Sequence, residues 1–177
     1  MKLVVLDRDG VINVDSDAYI KSPEEWKPIP GSLEAIARLT QAGFRLVVAT
    51  NQSGLGRGLF DMATLNAMHD KMHKAVNQLG GRIDAVFFCP HKQDAGCACR
   101  KPQPGMLQDI AGRFKIAPAD ISVIGDSLRD LQAASAAGAR PVLVLTGKGE
   151  QTLKSGGLPE GTEVHADLAA AALAMST

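Results

Sequence analysis

Short apolar runs recur along the chain at residues 2–6, 44–49, 85–89, 121–124 and 141–145, each ending in small or polar residues. Near-continuous Val/Ile/Leu runs of this length suit strands buried on both faces, as in a parallel sheet. Between them, apolar positions return at helical spacing, which predicts helices over 32–42, 62–79, 104–114 and 128–137, and an Ala-rich helix from about residue 166. Gly43 and Gly138 stand where helix C-caps belong, and Ser32 and Asp61 read as N-caps. Strand and helix alternate five times, so the fold class expected is α/β with a doubly wound, mostly parallel sheet. No repeat, linker or second domain is visible, and residues 1–177 read as one domain with a longer polar excursion at 11–31.

Composition narrows this picture. The hydrophobic content is 45%, and 19 Lys and Arg balance 19 Asp and Glu, enough apolar material for a core and no net field to attract nucleic acid or a membrane surface. No apolar run is long enough to span a bilayer, and the N-terminal residues lack a signal-peptide pattern, so the cytoplasm is the expected location. All three cysteines, Cys89, Cys97 and Cys99, crowd into residues 89–99 together with His91. Their number is odd, and Cys97 and Cys99 are too close for an easy disulfide, so a reducing compartment and metal ligation fit better than cross-linking.

In doubly wound sheets ligands bind outside the carboxyl ends of the strands, so those ends carry the candidate chemistry. After the first strand comes LDRDGVIN, with Asp7 and Asp9 at i and i+2, a spacing that lets both carboxylates face one side of an extended chain. The second strand runs into VVATNQSGLGRG, which offers Thr50, Asn51, Gln52 and Ser53, and the fourth into VIGDSLRD, with Asp126 and Asp130. Each cluster alone also reads as ordinary cap or turn chemistry. Together, at one edge of one sheet, four carboxylates would repel one another unless a cation joined them, and oxygen ligands open to water suit Mg²⁺.

These residues resemble the haloacid dehalogenase-like phosphatase superfamily. The matching pattern is Asp7-Arg8-Asp9-Gly10, Thr50, Lys101 and Gly125-Asp126-Ser127-Leu128-Arg129-Asp130, in chain order. Within the superfamily the segments DRDGVIN, VVATNQSG, Arg57-Gly58, CPH, CACRKPQPGM and VIGDS are most similar to the D-glycero-D-manno-heptose 1,7-bisphosphate 7-phosphatase family, with the histidinol-phosphate phosphatases as near relatives. The resemblance implies a Rossmann-like haloacid dehalogenase fold without a large cap domain. It also implies an Mg²⁺-dependent phosphoric monoester hydrolase that removes the 7-phosphate of the heptose bisphosphate in nucleotide-heptose and lipopolysaccharide precursor synthesis. The alternatives are hydrolysis of histidinol phosphate and, in another class, a non-catalytic sugar-phosphate binding protein; the second expects loss of Asp7, Asp9 or Lys101, and all three are present. The sequence departs from the family pattern in a lengthened turn at 15–19 and in Ser127, where some members carry Lys.

By the same resemblance Asp7 is the nucleophile that becomes an aspartyl-phosphate, and Asp9 is the general acid and base. Mg²⁺ is expected on Asp7, the backbone carbonyl of Asp9, and Asp126, with Asp130 in support, while Thr50 and Lys101 hold the transferring phosphoryl oxygens. Cys89, His91, Cys97 and Cys99 form a set suited to closed tetrahedral Zn²⁺, a structural ion fixing the loop that delivers Arg100 and Lys101. Arg100 and Arg57 are candidates for the second phosphate or sugar hydroxyls, since Arg grips phosphate bidentately. Asp15, Thr50, Asn51, Gln52, Ser53 and Lys101 complete the expected substrate contacts, and the loop around 15–19 is expected to meet the sugar. His69 and His73, at i and i+4, read as a solvated helix face, and TGKG at 146–149 lacks the first Walker glycine, Val142 standing there. The expected partner is a small sugar bisphosphate alone, and the expected state a monomer.

Overall fold

A computed structural model describes residues 2–177. The apolar runs form β1 (Leu3–Leu6), β2 (Arg45–Asn51), β3 (Ala85–Cys89), β4 (Ile121–Gly125) and β5 (Arg140–Val144), and a short β6 (Glu163–His165) follows them. All neighbours pair in parallel, in the order β3-β2-β1-β4-β5-β6. The chain winds outward from β1 through β2 to β3, then returns to β1's other side to lay down β4. The strand order therefore reverses between β1 and β4, which is where such sheets open a crevice for ligands. Register sets the spacing there: Leu6 lies opposite both Val48 and Ile124, so Asp7 and Asp126 emerge side by side, and the Asp7 N–H donates to the Ile124 carbonyl at 3.0 Å.

The helices are α1 (Ser32–Gln41), α2 (Ser53–Gly56), α3 (Met62–Gln78), α4 (Gly105–Phe114), α5 (Leu128–Ala137), α6 (Gly149–Ser155) and α7 (Leu168–Met175). Alternate strand residues point to opposite faces, so the sheet builds two cores. Val4, Leu6, Leu46 and Val48 pack toward Ile36 and Leu39 of α1, Leu65 and Met68 of α3, and Leu168 of α7. Leu3, Val5, Val47 and Val123 pack toward Leu107 and Ile110 of α4 and Ala133 and Ala134 of α5. Helices on both faces are the reason the strands read as unbroken apolar runs rather than alternating ones.

Several expectations are corrected. Ser32 does not cap α1: Gly31, at φ +88°, is the cap, and the Ser32 hydroxyl donates to the Val11 carbonyl at 2.8 Å, tying the excursion to the helix start. Asp61 does cap α3, accepting from the Thr64 N–H at 2.8 Å, and Gly138, at φ +80°, closes α5. The C-terminal helix begins two residues later than expected, where Asp167 accepts from the Ala170 N–H. α2, α6 and β6 were not anticipated; one turn of SGLG, seven mostly polar residues and three largely exposed ones carry too little periodicity to read.

Candidate active site

Lys101 organises the floor of the crevice. Its Nζ donates to Asp7 Oδ1 at 3.0 Å and to the Ala49 carbonyl at 2.9 Å, and it pairs with Asp130 Oδ1 at 2.6 Å, while the residue is only 4% exposed. Burial would lower the lysine pKa, but the charges of Asp130 and Asp7 overcome it and raise it, so the ammonium stays charged. Asp130 gains most from this contact: against its own burial, Lys101 and the Ser127 hydroxyl and N–H hold its carboxyl below the usual range. That same Ser127–Asp130 exchange is the capping box of α5, so the helix start and the Lys101 anchor are one structure.

Asp7 and Asp126 are left in a different state. Burial first, then the neighbouring Asp130 charge, raises Asp7 well above the ordinary carboxylate range. The same two causes push Asp126, 3% exposed, up to about 7. Carboxylate oxygens of Asp7, Asp126 and Asp130 lie within 4.8 Å of one another. Buried acids that crowd together and resist ionisation are the donor set a divalent cation would complete, because the cation supplies the charge that burial withholds. Two glycines permit the crowding: a Cβ on Gly10 (φ +87°) or Gly147 (φ +57°) would collide with the Asp126 carboxylate. The Lys148 N–H donates to Asp126 Oδ2 at 2.9 Å and fixes its rotamer.

Asp9 lines the same crevice, as its i+2 spacing from Asp7 predicts. Its Oδ1 accepts from Arg8 Nε and Asn13 Nδ2, both at 2.9 Å, while Oδ2 has, among the described residues, only Gln52 Nε2 at 3.4 Å. Thr50 stands at the end of β2, its hydroxyl accepting from Gln52 Nε2 at 2.9 Å. Asn51 was expected to meet substrate, yet its amide is engaged elsewhere: Oδ1 accepts from the Lys101 N–H at 3.1 Å and Nδ2 donates to the Lys101 carbonyl at 3.3 Å. This reciprocal clamp, and Gln52's bonds to Thr50 and Asp9, engage both amides with the protein, and both also line the crevice.

The cysteine loop converges as its composition suggests. Cys89 Sγ lies 3.3 Å from His91 Nδ1 and 3.5 Å from Cys97 Sγ, and Cys99 Sγ lies 3.2 Å from the same imidazole nitrogen. A tetrahedral Zn²⁺ with Zn–S near 2.3 Å and Zn–N near 2.0 Å has donor–donor edges of about 3.5–3.8 Å, so the four donors already stand close to that polyhedron. The three thiols hold their protons unequally: despite some desolvation, the Arg100 N–H and the neighbouring thiols and imidazole bring Cys97 down to about 6, whereas burial raises Cys89 and, with the neighbouring thiols, pushes Cys99 up to about 12. Residues 100–101 leave this cluster directly into the crevice.

The outer wall holds Arg100, Ser53 and Asp15, together with Arg129, Lys148, Tyr19 and Gln93. Arg100 Nη1 is buried without a hydrogen-bond partner among the described residues, and Arg100 lines the crevice. Arg129 and Gln93 were missed by sequence reasoning. Arg129 had a readable signal, as the second residue of a helix that starts at the ligand edge; Gln93 had none. Lys148 reaches Asp15 at 3.8 Å. Arg57 is not brought to the crevice: it is exposed, bonds Gln93 and lies 6.0 Å over the Tyr19 ring, so it supports the rim. His69 is a second correction: it is buried, 8% exposed, against Arg8, because α3 packs over β1 and β2 with that face inward.

Comparison with known proteins agrees with this geometry. Residues 98–171 match the HAD-hydrolase-like family model. The chain is 66% identical over 172 residues to the D-glycero-β-D-manno-heptose-1,7-bisphosphate 7-phosphatase of Bordetella bronchiseptica, covering 97% of this chain and 96% of that one. It is 56% identical to the protein of that name from Pseudomonas putida, over 97% of this chain and 98% of the other. The crystal structure of D,D-heptose 1,7-bisphosphate phosphatase from B. bronchiseptica, complexed with magnesium and phosphate, superposes with a TM-score of 0.98 at 64% identity, covering 99% and 98% of the two chains.

Proposed function

The chain belongs to the D-glycero-β-D-manno-heptose-1,7-bisphosphate 7-phosphatases of the haloacid dehalogenase-like hydrolases, and from that premise we propose that it hydrolyses the 7-phosphate of this heptose bisphosphate, as the β anomer, on the way to nucleotide-heptose. The observation that carries the reading is Lys101, buried and bridged to Asp7 and Asp130 beside Asp126, at the switch point of the sheet. Phosphoryl transfer needs an in-line nucleophile and neutralised oxygens, and this cluster offers both.

Asp7 supplies the nucleophile. Its Oδ1 is held by the Arg8 N–H and Lys101, and Oδ2 has no protein hydrogen-bond partner among the described residues, leaving one oxygen for attack on phosphorus. Mg²⁺, held by Asp7, Asp126 and the Asp9 carbonyl, supplies the positive charge that keeps Asp7 ionised and neutralises the phosphoryl oxygens. Thr50 and Lys101 bind those oxygens as charge builds on them. Asp9 protonates the departing C7 oxygen and then takes the proton of the water that cleaves the aspartyl-phosphate. Arg100, with Arg129 and Lys148, takes the second phosphate and the sugar hydroxyls; Asp15 and Ser53 line the same wall. Cys89, His91, Cys97 and Cys99 would hold Zn²⁺, which would fix the 89–99 loop that aims Arg100 and Lys101, and the whole chain works as one domain.

Phosphate release with Mg²⁺ tests the reading, comparing the α and β heptose 1,7-bisphosphates with histidinol phosphate at equal concentration. A preference for the β bisphosphate of roughly 10²-fold, about 2.7 kcal/mol of transition-state discrimination, is expected. A preference for histidinol phosphate would replace the substrate and leave the chemistry intact. No release from any of the three by a metal-loaded protein would overturn the catalytic assignment.

A further inference from the structure

Arg8, between the two motif aspartates, is fully buried, and its donors show what a buried guanidinium requires. Nε donates to Asp9 Oδ1 at 2.9 Å, and Nη2 lies 2.8 Å from the same oxygen as an ion-pair contact without aligned hydrogen-bond geometry. Nη1 lies 3.2 Å from Nε2 of His69, a residue of α3 that the catalytic scheme does not use. An arginine has no acceptor, so this contact forms only if Nε2 carries a lone pair. Burial first, and then the Arg8 charge, brings His69 down to about 4, so the ring is neutral near pH 7 and can accept.

We propose that His69 is a positioning residue for the general acid and base: by accepting from Arg8 it fixes the guanidinium plane, and Arg8 in turn holds Asp9 with Oδ1 toward the protein and Oδ2 toward the leaving oxygen. The inference rests on the reading of Asp9 given above. The two carboxylate oxygens are already unequal: among the described residues Oδ1 takes Arg8 and Asn13, whereas Oδ2 meets only the long contact from Gln52. Removing the His69 acceptor would leave the buried Nη1 without that partner, and the other inward residues of α3 beside His69, Leu65, Met68 and Met72, offer no oxygen or nitrogen in its place. The guanidinium would then turn to find another partner, and the carboxylate it holds would turn with it.

The leaving group separates positioning from mere structural support. A sugar alkoxide needs a proton as it departs; 4-nitrophenolate does not, and kcat/KM reports the first displacement only. His69→Leu is expected to lower kcat/KM for the heptose bisphosphate about 10-fold or more and that for 4-nitrophenyl phosphate less than about 3-fold. His69→Gln, whose amide oxygen sits near the Nε2 position, is expected to restore most of the loss. Asp9→Asn must show the same selectivity, more strongly. If Asp9→Asn slows both substrates alike, the acid assignment fails whatever His69 does. If Asp9→Asn is selective while His69→Leu slows both substrates equally, or neither, the His69 proposal alone is overturned. Should the Leu variant not fold, ¹⁵N NMR of the unmodified protein decides: the Nδ1–H tautomer of His69 near pH 7 supports the proposal, and the Nε2–H tautomer rejects it.

Discussion

At the scale of single residues, this site is a problem of charge in a buried space. Three carboxylates, Asp7, Asp126 and Asp130, crowd around the buried Lys101 ammonium at the carboxyl end of the sheet, and Lys101 cannot satisfy all of them. It sits closest to Asp130, which is why Asp130 ionises readily while Asp7 and Asp126 do not. Lys101→Ala is therefore expected to do two things. Turnover should fall by roughly 10²-fold or more, the cost of removing one charge-stabilising donor from a transition state. Stability should fall by about 3–5 kcal/mol, because Asp130 is left buried and unpaired. Phosphate-release kinetics and urea unfolding read the two separately, and a variant with near-normal turnover would remove Lys101 from catalysis. The motif aspartates stood out in the sequence because they gather at strand ends on the expected ligand edge, and Thr50 and Lys101 were singled out by the resemblance to haloacid dehalogenase-like phosphatases. The tasks of Asn51 and Gln52 were not legible, since an amide reads the same whether it faces a ligand or a neighbouring backbone.

At the scale of elements, the segment from the end of β3 to α4 carries the cations without regular structure of its own. The four sulfur and nitrogen donors converge within it, and the Asn51 clamp holds the Lys101 backbone at its end. Stripping zinc with a chelator, then restoring Mg²⁺ alone, is expected to leave a weakly active protein. Its Tm should fall by about 10 °C or more, since each kcal/mol is worth about 2–4 °C in a domain of this size. Unchanged melting and full activity after verified zinc loss would show that the loop holds itself. The long helices, α1, α3, α4 and α5, were readable from periodicity to within a residue or two. The start of α1 was misread, because a left-handed Gly31 and a serine bonded to Val11 only look like a serine cap in one dimension.

At the scale of the whole molecule, the inward face of α3 links stability to pH. His69 is neutral in the fold, held to about 4 by burial and by Arg8, against about 6.5 in an unfolded chain. A depressed pKa means the folded state resists the proton that the unfolded state accepts. This contribution is therefore fully present above about pH 6.5 and is lost as pH falls from 6.5 toward 4, up to about 3 kcal/mol in all. Urea midpoints measured from pH 7.5 to 4.5 should fall more steeply for the parent protein than for His69→Gln, and parallel curves would show that another group sets the acid limb. The sequence alone determined the α/β class, the five principal strands, the ligand edge and the residues able to do chemistry there, because apolar runs, helical spacing and side-chain type are properties of neighbours in the chain. Tertiary structure decided what depends on residues far apart: that Lys101 bridges Asp7 and Asp130, that Arg57 stands at the rim rather than in the crevice, and that His69 is buried against Arg8 rather than solvated. Burial and charge pairing are sums over everything that surrounds a group, and the fold alone fixes those surroundings.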